Sequence, residues 1–495
     1  MNNKGIIGLF ASYPFIIISG ENPRPNYDGI NNPFLKNYIK KLAKLLSIKG
    51  NLNNLKIVYI GGYGKQKDSE RAKLYLRAYN EYLEKVLDYP KNSLIMNNLT
   101  VIDSTDDIEN IRKNIEDADF IFLGVGSDKV FRDTIYYLET NGIILSDIIK
   151  KNNTVLSTIC SGSVMTSSNI YGGSYDNYYY EATQLVYPKN LTSLNCNPIT
   201  METDFCPNDQ SQEKNTYFIE NFLKPDSKRK CFFACRPNSY FLTDGKSVYA
   251  YGEIYLFIDE KQLLICSNDK KVNITELVDM INYYNTLKNN NVVIDNNLSS
   301  SIEQIISLLS YEDIDTKENT TEDSIINAFK SREDMINKQR EEWKKDLTSK
   351  IYTLESSIID FLQNDILLNK YFNLNPDIVK NYSVDIKKNN YIVELYLKFN
   401  LIKVIKESYQ NYPILSYSKF KNDLYEILYN LVCEKPDIAF FIVEVLAILF
   451  ENSKLKKILS KIKESLPDKE ISKPNAYKNA SSRQLVLFRR KYERS

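Results

Sequence analysis

Short apolar runs alternate with helical segments through the first 270 or so residues, and this alternation constrains the fold more than any other feature. The runs, each ending near Gly, Ser or Asp, are Phe15–Ile18, Lys56–Ile60, Leu99–Ile102, Phe120–Leu123 and Val155–Thr158. The segments with helical periodicity are Lys36–Leu46, Ser69–Val86, Ile108–Glu116 and Val130–Tyr137. This pattern predicts an α/β domain with a mostly parallel, doubly wound sheet. Functional groups are then expected at the carboxyl ends of the strands.

Beyond about Asn273 the pattern changes to amphipathic helices. These are Ile274–Leu287, Leu298–Leu309, Ser324–Leu347 continuing to Leu362, Tyr391–Tyr409, Lys419–Cys433 and Pro436–Phe450. We therefore predict an α/β domain over residues 1–272, an all-α domain over 273–480 and a flexible basic tail over 481–495. The charged segment 331–350 is typical of a long solvated helix, which offers a surface for a protein partner or for self-association.

Charge and cysteine content narrow the class of protein. The formal net charge is +1, from 64 Lys and Arg against 63 Asp and Glu, so no overall field favours nucleic acid or an acidic membrane. The apolar segment Ile438–Phe450 is too short to span a bilayer. Seven cysteines with irregular spacing indicate reduced thiols and a cytoplasmic location.

A structural zinc is a weak alternative for one pair of cysteines. Cys231 and Cys235 have a spacing found in metal sites, but no second pair and no histidine completes a tetrahedral set. We therefore expect neither a metal nor a cofactor.

The segment Thr158-Ile159-Cys160-Ser161-Gly162-Ser163 carries the strongest functional signal. A strand, a sharp turn with a central nucleophile and a helix together predict a nucleophile elbow. Backbone amides at the start of the helix would favour the thiolate form of Cys160. The 495 residues include no histidine, which excludes any Cys or Ser mechanism with an imidazole base.

The glycine-rich loop Gly124–Asp128 follows a predicted strand. It can supply an oxyanion-binding amide from Gly126 or Ser127, alongside the N–H of Ser161. The alternative is an ordinary strand-to-helix turn in which Asp128 caps the next helix. The earlier loop Gly61-Gly62-Tyr63-Gly64 lacks the spacing of a dinucleotide fingerprint.

Several of these motifs together resemble the cyanophycinase and aspartyl-dipeptidase group of serine peptidases, which has the class I glutamine-amidotransferase-like fold. The resemblance covers roughly residues 10–270. It consists of Phe120–Asp128, Ile135–Leu138, Thr158–Ser163 with Met165, Met201–Phe205 where the family has Asp-Gln-His-Phe, and a hairpin from Leu242 to Gly252. It implies an amide-hydrolysing site at the elbow, and a substrate pocket shaped by the region of Tyr178, Tyr179 and Tyr180. The alternative is that these tyrosines only reflect a chain with 37 tyrosines. Asp128 is a further candidate for substrate binding.

The sequence departs from the family at the residues that would do the chemistry. Cys160 stands at the family serine, Thr158 at the usual leading glycine and Asp204 at the family histidine. Cysteine at this elbow resembles the glutamine amidotransferases and the PfpI-type branch. An ionised Asp204 would disfavour the thiolate by like-charge repulsion. A neutral Glu202 or Glu181 beside Cys160 would resemble the PfpI-type Cys–Glu pairing and could protonate a leaving amine.

Three functional hypotheses follow. The first is a cysteine-nucleophile amide or peptide hydrolase or acyl transferase acting on a small peptide or amide, with Asp204, Glu202 or Glu181 moving protons. The second is a catalytically inactive relative that serves as a binding or assembly scaffold, which explains the absent histidine. The third is a thiol redox or carbonyl-adduct protein of the PfpI type. None of them involves a membrane or a specific nucleic acid.

Overall fold

The structure is a computed structural model that describes residues 8–11, 33–166, 201–202, 231–236, 239–244, 248–258, 261–266, 271–273, 322–363 and 403–434. Its strands are β1 Gly8–Ala11, β2 Ile57–Gly62, β3 Leu99–Ile102, β4 Phe120–Gly126, β5 Val155–Ile159, β6 Met201–Glu202, β7 Cys231–Cys235, β8 Tyr240–Thr243, β9 Val248–Tyr251, β10 Ile254–Ile258, β11 Lys261–Cys266 and β12 Lys271–Asn273. Its helices are α1 Pro33–Lys49, α2 Lys65–Leu87, α3 Ile108–Asp117, α4 Asp128–Thr140, α5 Leu145–Asn152, α6 Ser161–Thr166, α7 Glu322–Gln363 and α8 Tyr417–Glu434. Residues 403–410 are also helical.

Eight strands form the main sheet, in the order β12-β9-β8-β1-β5-β4-β2-β3. The five from β1 to β3 in this order pair in parallel, and β8, β9 and β12 extend the sheet antiparallel. The predicted α/β fold is confirmed, and so is the predicted hairpin, which is β8 with β9. The predicted strand Phe15–Ile18 lies outside the described residues and stays a prediction. The strand that pairs with β5 on the side away from β4 is Gly8–Ala11.

The helices follow from local sequence signals. Helix α3 begins where the Asp107 carboxylate accepts a hydrogen bond from the Asn110 amide at 3.0 Å, which satisfies an amide that the first turn leaves unpaired. Helix α5 was not predicted, because its eight residues are too few to show a clear period. The predicted helices Ile274–Leu287, Leu298–Leu309 and Pro436–Phe450 lie outside the described ranges.

The core on one face of the sheet is rich in tyrosine. Tyr38 on α1 and Tyr79 on α2 are completely buried, and their hydroxyls lie 3.4 Å apart. The Tyr38 hydroxyl also bonds to that of Ser157 on β5. Burial raises the pKa of Tyr38 to about 12, so the phenol remains neutral. Paired in this way, buried phenols contribute apolar area without leaving their hydroxyls unsatisfied.

A second sheet has the order β11-β10-β7-β6. Cys231 and Cys235 stand at the two ends of β7. Cys235 is four positions after Cys231 in an extended strand, so their Cα atoms are about 13 Å apart. One metal ion cannot take both thiolates, which removes the zinc alternative for this pair.

Contacts divide the chain into two compact units. The first comprises residues 1–336 and 414–417, and the second 337–413 and 418–495. In the first unit the beginning of α7 packs on the α/β domain, where Glu333 pairs with Lys49 at 2.8 Å. In the second, Arg340 forms a two-pronged ion pair with Asp423, at 2.6 and 2.9 Å. The boundary expected between 272 and 273 stays a prediction, because residues 274–321 lie outside the described part of the chain.

Candidate active site

Cys160 occupies the apex of a sharp turn between β5 and α6. Its φ is +49°, in the left-handed region. The other non-glycine residues with positive φ in the described chain are Asp88, Asn92 and Asn153, and these residue types tolerate that region better than cysteine does. The Ser163 amide donates to the Cys160 carbonyl at 2.9 Å and closes the first turn of the helix. A strained conformation at one cysteine indicates that the surrounding structure imposes it.

The Cys160 side chain is a thiol of intermediate exposure and is not part of a disulfide. Its Sγ lies 3.9 Å from the Ser161 hydroxyl oxygen. Cys160 as a whole is therefore partly buried, and it packs against the core on one face of the sheet.

Tight packing beneath the turn holds this geometry in place. A Cβ added at Gly162 would lie 2.4 Å from the carbonyl oxygen of Leu123, so α6 can approach β4 this closely only with glycine there. The buried hydroxyls of Thr158 and Ser163 are 2.7 Å apart and join the end of β5 to the helix.

The peptide between Gly126 and Ser127 is held at both ends. Its carbonyl accepts a hydrogen bond from the Ser161 hydroxyl at 2.7 Å. Its N–H, which belongs to Ser127, donates to the Gly62 carbonyl on β2 at 2.9 Å. The Ser127 amide, which was predicted as an oxyanion donor, thus already donates its hydrogen bond to a carbonyl of the neighbouring strand.

The Gly126 amide has the opposite orientation. In a parallel ladder the N–H and C=O of one residue point towards the same neighbouring strand, and those of the next residue point the other way. The Gly126 carbonyl faces Ser161, so its N–H lies on the side of Cys160 as well. Gly126 has a φ of +151°, and a Cβ there would lie 2.3 Å from the Gly62 Cα, so only glycine fits.

Asp128 and Glu202 are the two further predicted site residues whose backbone is described. Asp128 is the first residue of α4, while Ser127 holds the N-cap position, which corrects the interpretation of Asp128 as the cap. Glu202 lies on β6, which pairs in parallel with β7, and β6 approaches α6. The two-residue strand that contains Glu202 therefore lies near the elbow helix. Asp204, Glu181, Tyr178, Tyr179 and Tyr180 lie outside the described residues.

One buried acidic residue near this edge of the sheet was not predicted from the sequence. Asp68, in the first turn of α2, is 1% exposed, and its carboxylate accepts from the Tyr63 amide at 3.2 and 3.3 Å. Burial raises its pKa to about 6, against the lowering effect of hydrogen bonds from Tyr63 and Gly64. The available signal was an acid in the first turn of the helix that follows the glycine pair Gly61-Gly62, because a residue without a side chain leaves room for a carboxylate.

Within the described ranges, no group of three or more Cys, Asp or Glu side chains is placed to hold a metal ion. Nor does any helix in this part of the chain have the length and apolar character needed to cross a membrane.

Fold and turn together define an α/β protein with a cysteine at a strained strand-to-helix turn. No family model and no curated protein matches the chain. Among solved structures, it is similar to a peptidase from an acI-B1 Actinobacterium, at 11% identity and a TM-score of 0.32, over 55% of this chain and 97% of that one. It is also similar to a protein with the provisional name Peptidase E from Listeria monocytogenes EGD-e, at 14% identity and a TM-score of 0.29, over 52% of this chain and 98% of that one. Values this low transfer no activity to this chain.

Proposed function

We propose that this protein is a cysteine-dependent amide or peptide hydrolase or acyl transferase, with Cys160 as the nucleophile. The observation that carries the proposal is the positive φ of Cys160 at the junction of β5 and α6. Holding a residue other than Gly, Asn or Asp in that region costs of order 1–3 kcal/mol, and such strain clusters at functional sites. The turn places the thiol at the carboxyl edge of the parallel strands, where ligands bind in open α/β sheets.

The proposed reaction has two stages. The Cys160 thiolate attacks the amide carbonyl carbon, and the π electrons move to the oxygen. The amides of Gly126 and Ser161 stabilise the resulting oxyanion. Collapse of this intermediate breaks the C–N bond, and the amine leaves with the proton that the thiol gave up. Water, or an acceptor amine, then attacks the thioester, takes the acyl group and returns the proton to sulfur.

A carboxyl group must carry the proton, because the chain has no histidine. Glu202 is the candidate on β6, the strand that lies near α6, and Asp204 and Glu181 are the others. Only the neutral form can protonate the leaving amine, and only the neutral form avoids repelling the thiolate. By resemblance, the substrate is a small peptide, with Tyr178, Tyr179 and Tyr180 shaping its pocket. Asp128 is a further candidate for contact with the substrate.

The deciding experiment compares Cys160→Ala with Cys235→Ala, a matched substitution at a buried thiol on the second sheet. We expect iodoacetamide to alkylate Cys160 rapidly near neutral pH. We also expect turnover in a panel of amide and small-peptide substrates to disappear in Cys160→Ala and to persist in Cys235→Ala.

Two other outcomes identify the competing functions. A Cys160 that titrates near 8.5, as in model peptides, with no effect of Cys160→Ala on turnover, would identify a binding or assembly scaffold. The absence of histidine favours that second candidate. Rapid alkylation of Cys160 without turnover of any amide would instead indicate thiol redox or carbonyl-adduct chemistry.

A further inference from the structure

Asp68 is a buried acid that the proposed reaction does not use. Its side chain fills the space over Gly61, where an added Cβ would lie 2.1 Å from the Asp68 Oδ1. The amide of Tyr63 donates to the same carboxylate. Asp68 therefore fixes the conformation of the turn that follows β2.

That turn supports the candidate oxyanion site from the side opposite Cys160. Gly62 packs against Gly126 and Ser127, and a Cβ on it would lie 2.7 Å from the Ser127 carbonyl oxygen and 3.0 Å from the Gly126 Cα. The Gly62 carbonyl also accepts the Ser127 N–H. A continuous series of contacts thus connects the Asp68 carboxylate, through Gly61 and Gly62, to the Gly126 backbone beside the elbow.

We propose that Asp68 is a positioning residue, which holds the Gly126 amide in place to receive the oxyanion formed at Cys160. The inference rests on the proposed function and adds Asp68 as a residue that affects the rate of the proposed reaction. Asp68 does not touch the reacting atoms. It acts through the turn 61–64 and through the peptide between Gly126 and Ser127.

The surroundings of Asp68 make this support dependent on pH. Burial is the main cause that raises the pKa of Asp68, and the charge of Asp103, after β3, adds to it. The amides of Tyr63 and Gly64 and the Lys67 ammonium on α2 lower the pKa. Tyr59 on β2 faces Asp68 with a phenol kept neutral by burial, and Arg71 on α2 acts on that phenol. Because the pKa of Asp68 is about 6, the carboxylate that accepts both amides predominates above pH 6 and is lost below it.

Two reagents separate positioning from thiol reactivity. Acylation of Cys160 by p-nitrophenyl acetate passes through an oxyanion, and alkylation by iodoacetamide does not. The ratio of the two rates, with mass spectrometry to locate the acyl group, therefore reports on the oxyanion site alone. Acylation is measured as the excess over Cys160→Ala.

The test variant is Asp68→Asn, which keeps the shape of the side chain and removes its charge. We expect acylation to slow about tenfold, less than the ~10²–10³-fold loss of a complete oxyanion donor, while alkylation is unchanged. The acylation-to-alkylation ratio of the natural protein should fall below pH 6, and this inflection should be missing in Asp68→Asn.

The matched control is Asp119→Asn. Asp119 is also buried and accepts a backbone amide, from Lys56 at 3.0 Å, but it precedes β4 at the opposite end of the sheet. Both rates should be unchanged in this variant. If Asp68→Asn does not fold, Gly61→Ala displaces the same carboxylate and should give the same slow acylation without the inflection.

The outcomes distinguish this inference from the proposed function. Acylation no faster than in Cys160→Ala overturns both. Acylation at Cys160 that is unaffected by Asp68→Asn, or that slows in step with alkylation, overturns the positioning role and leaves the proposed function standing.

Discussion

The buried ion pair between Lys49 and Glu333 should be a main attachment of α7 to the α/β domain. The Lys49 and Glu333 side chains are 3% and 12% exposed, and their charged atoms are 2.8 Å apart. Lys49 also donates to the Asn152 carbonyl at 3.2 Å, and the Asn153 amide donates to Glu333 at 3.0 Å. Glu333→Ala would leave a buried ammonium without its counter-charge, which costs about 3–5 kcal/mol.

Urea unfolding followed by far-UV circular dichroism measures this loss. Lys49→Met combined with Glu333→Leu should recover most of it, because an apolar pair of similar volume replaces a buried ion pair with little cost. Hydrogen exchange should show that the protection lost in Glu333→Ala lies at the start of α7 and at the end of α5.

The matched control is Glu81→Ala, which breaks the Lys85–Glu81 pair on α2. Its partners are 50% and 38% exposed, so the loss should stay below about 0.5 kcal/mol. If Glu333→Ala costs no more than Glu81→Ala, or if the double variant is as unstable as the single one, the reasoning from burial is refuted.

Three further predictions concern the rest of the chain. Gly162→Ala should lower the free energy of unfolding in urea by about 1–3 kcal/mol, because the added methyl group meets the Leu123 backbone. A variant as stable as the natural protein would contradict that close approach. Asp423→Asn should lower the free energy of unfolding by about 2–4 kcal/mol, because it removes the buried charge that pairs with Arg340. Urea unfolding followed by Trp343 fluorescence measures this loss, and an unchanged unfolding midpoint would contradict the prediction. The raised pKa of Asp68 means that its folded form binds a proton more tightly than the unfolded chain does. Its contribution to stability is therefore present below about pH 4 and is lost as pH rises to about 6, by roughly 3 kcal/mol, and Asp68→Asn should remove this slope from the urea midpoints.

The sequence predicted those elements whose signals are local. Leu99–Ile102 became β3 with the predicted bounds, since its apolar run is set off by turn residues. The predicted helix over Lys419–Cys433 is α8, and the turn at Cys160 follows from a strand that runs directly into helix-forming residues. Each of these features depends on neighbours within a few positions along the chain.

Features set by distant parts of the chain were not predictable in the same way. The Ser127 amide is used by Gly62 because of the register between β2 and β4, which no local pattern reveals. From the sequence, Asp68 has the pattern of an ordinary solvent-exposed helix residue. Only the fold shows that its carboxylate lies over Gly61. The strands of the second sheet are short and lack strict alternation, so their pairing rests on contacts between segments far apart in sequence.

The return of residues 414–417 to the α/β unit has a consequence for how this chain can be divided. The Asn152 side chain exchanges two hydrogen bonds with the Leu415 backbone, at 2.7 and 2.8 Å, and the Ser416 hydroxyl donates to Asp117 at 2.6 Å. The Asn152 contacts brace the end of α5, which leads into β5, and the Asp117 contact braces the end of α3, which leads into β4. Cys160 directly follows β5. A fragment that ends at Gln363 would keep the elbow but would lose residues 414–417 and their hydrogen bonds to Asn152 and Asp117. A single break in the chain therefore cannot release an intact α/β half.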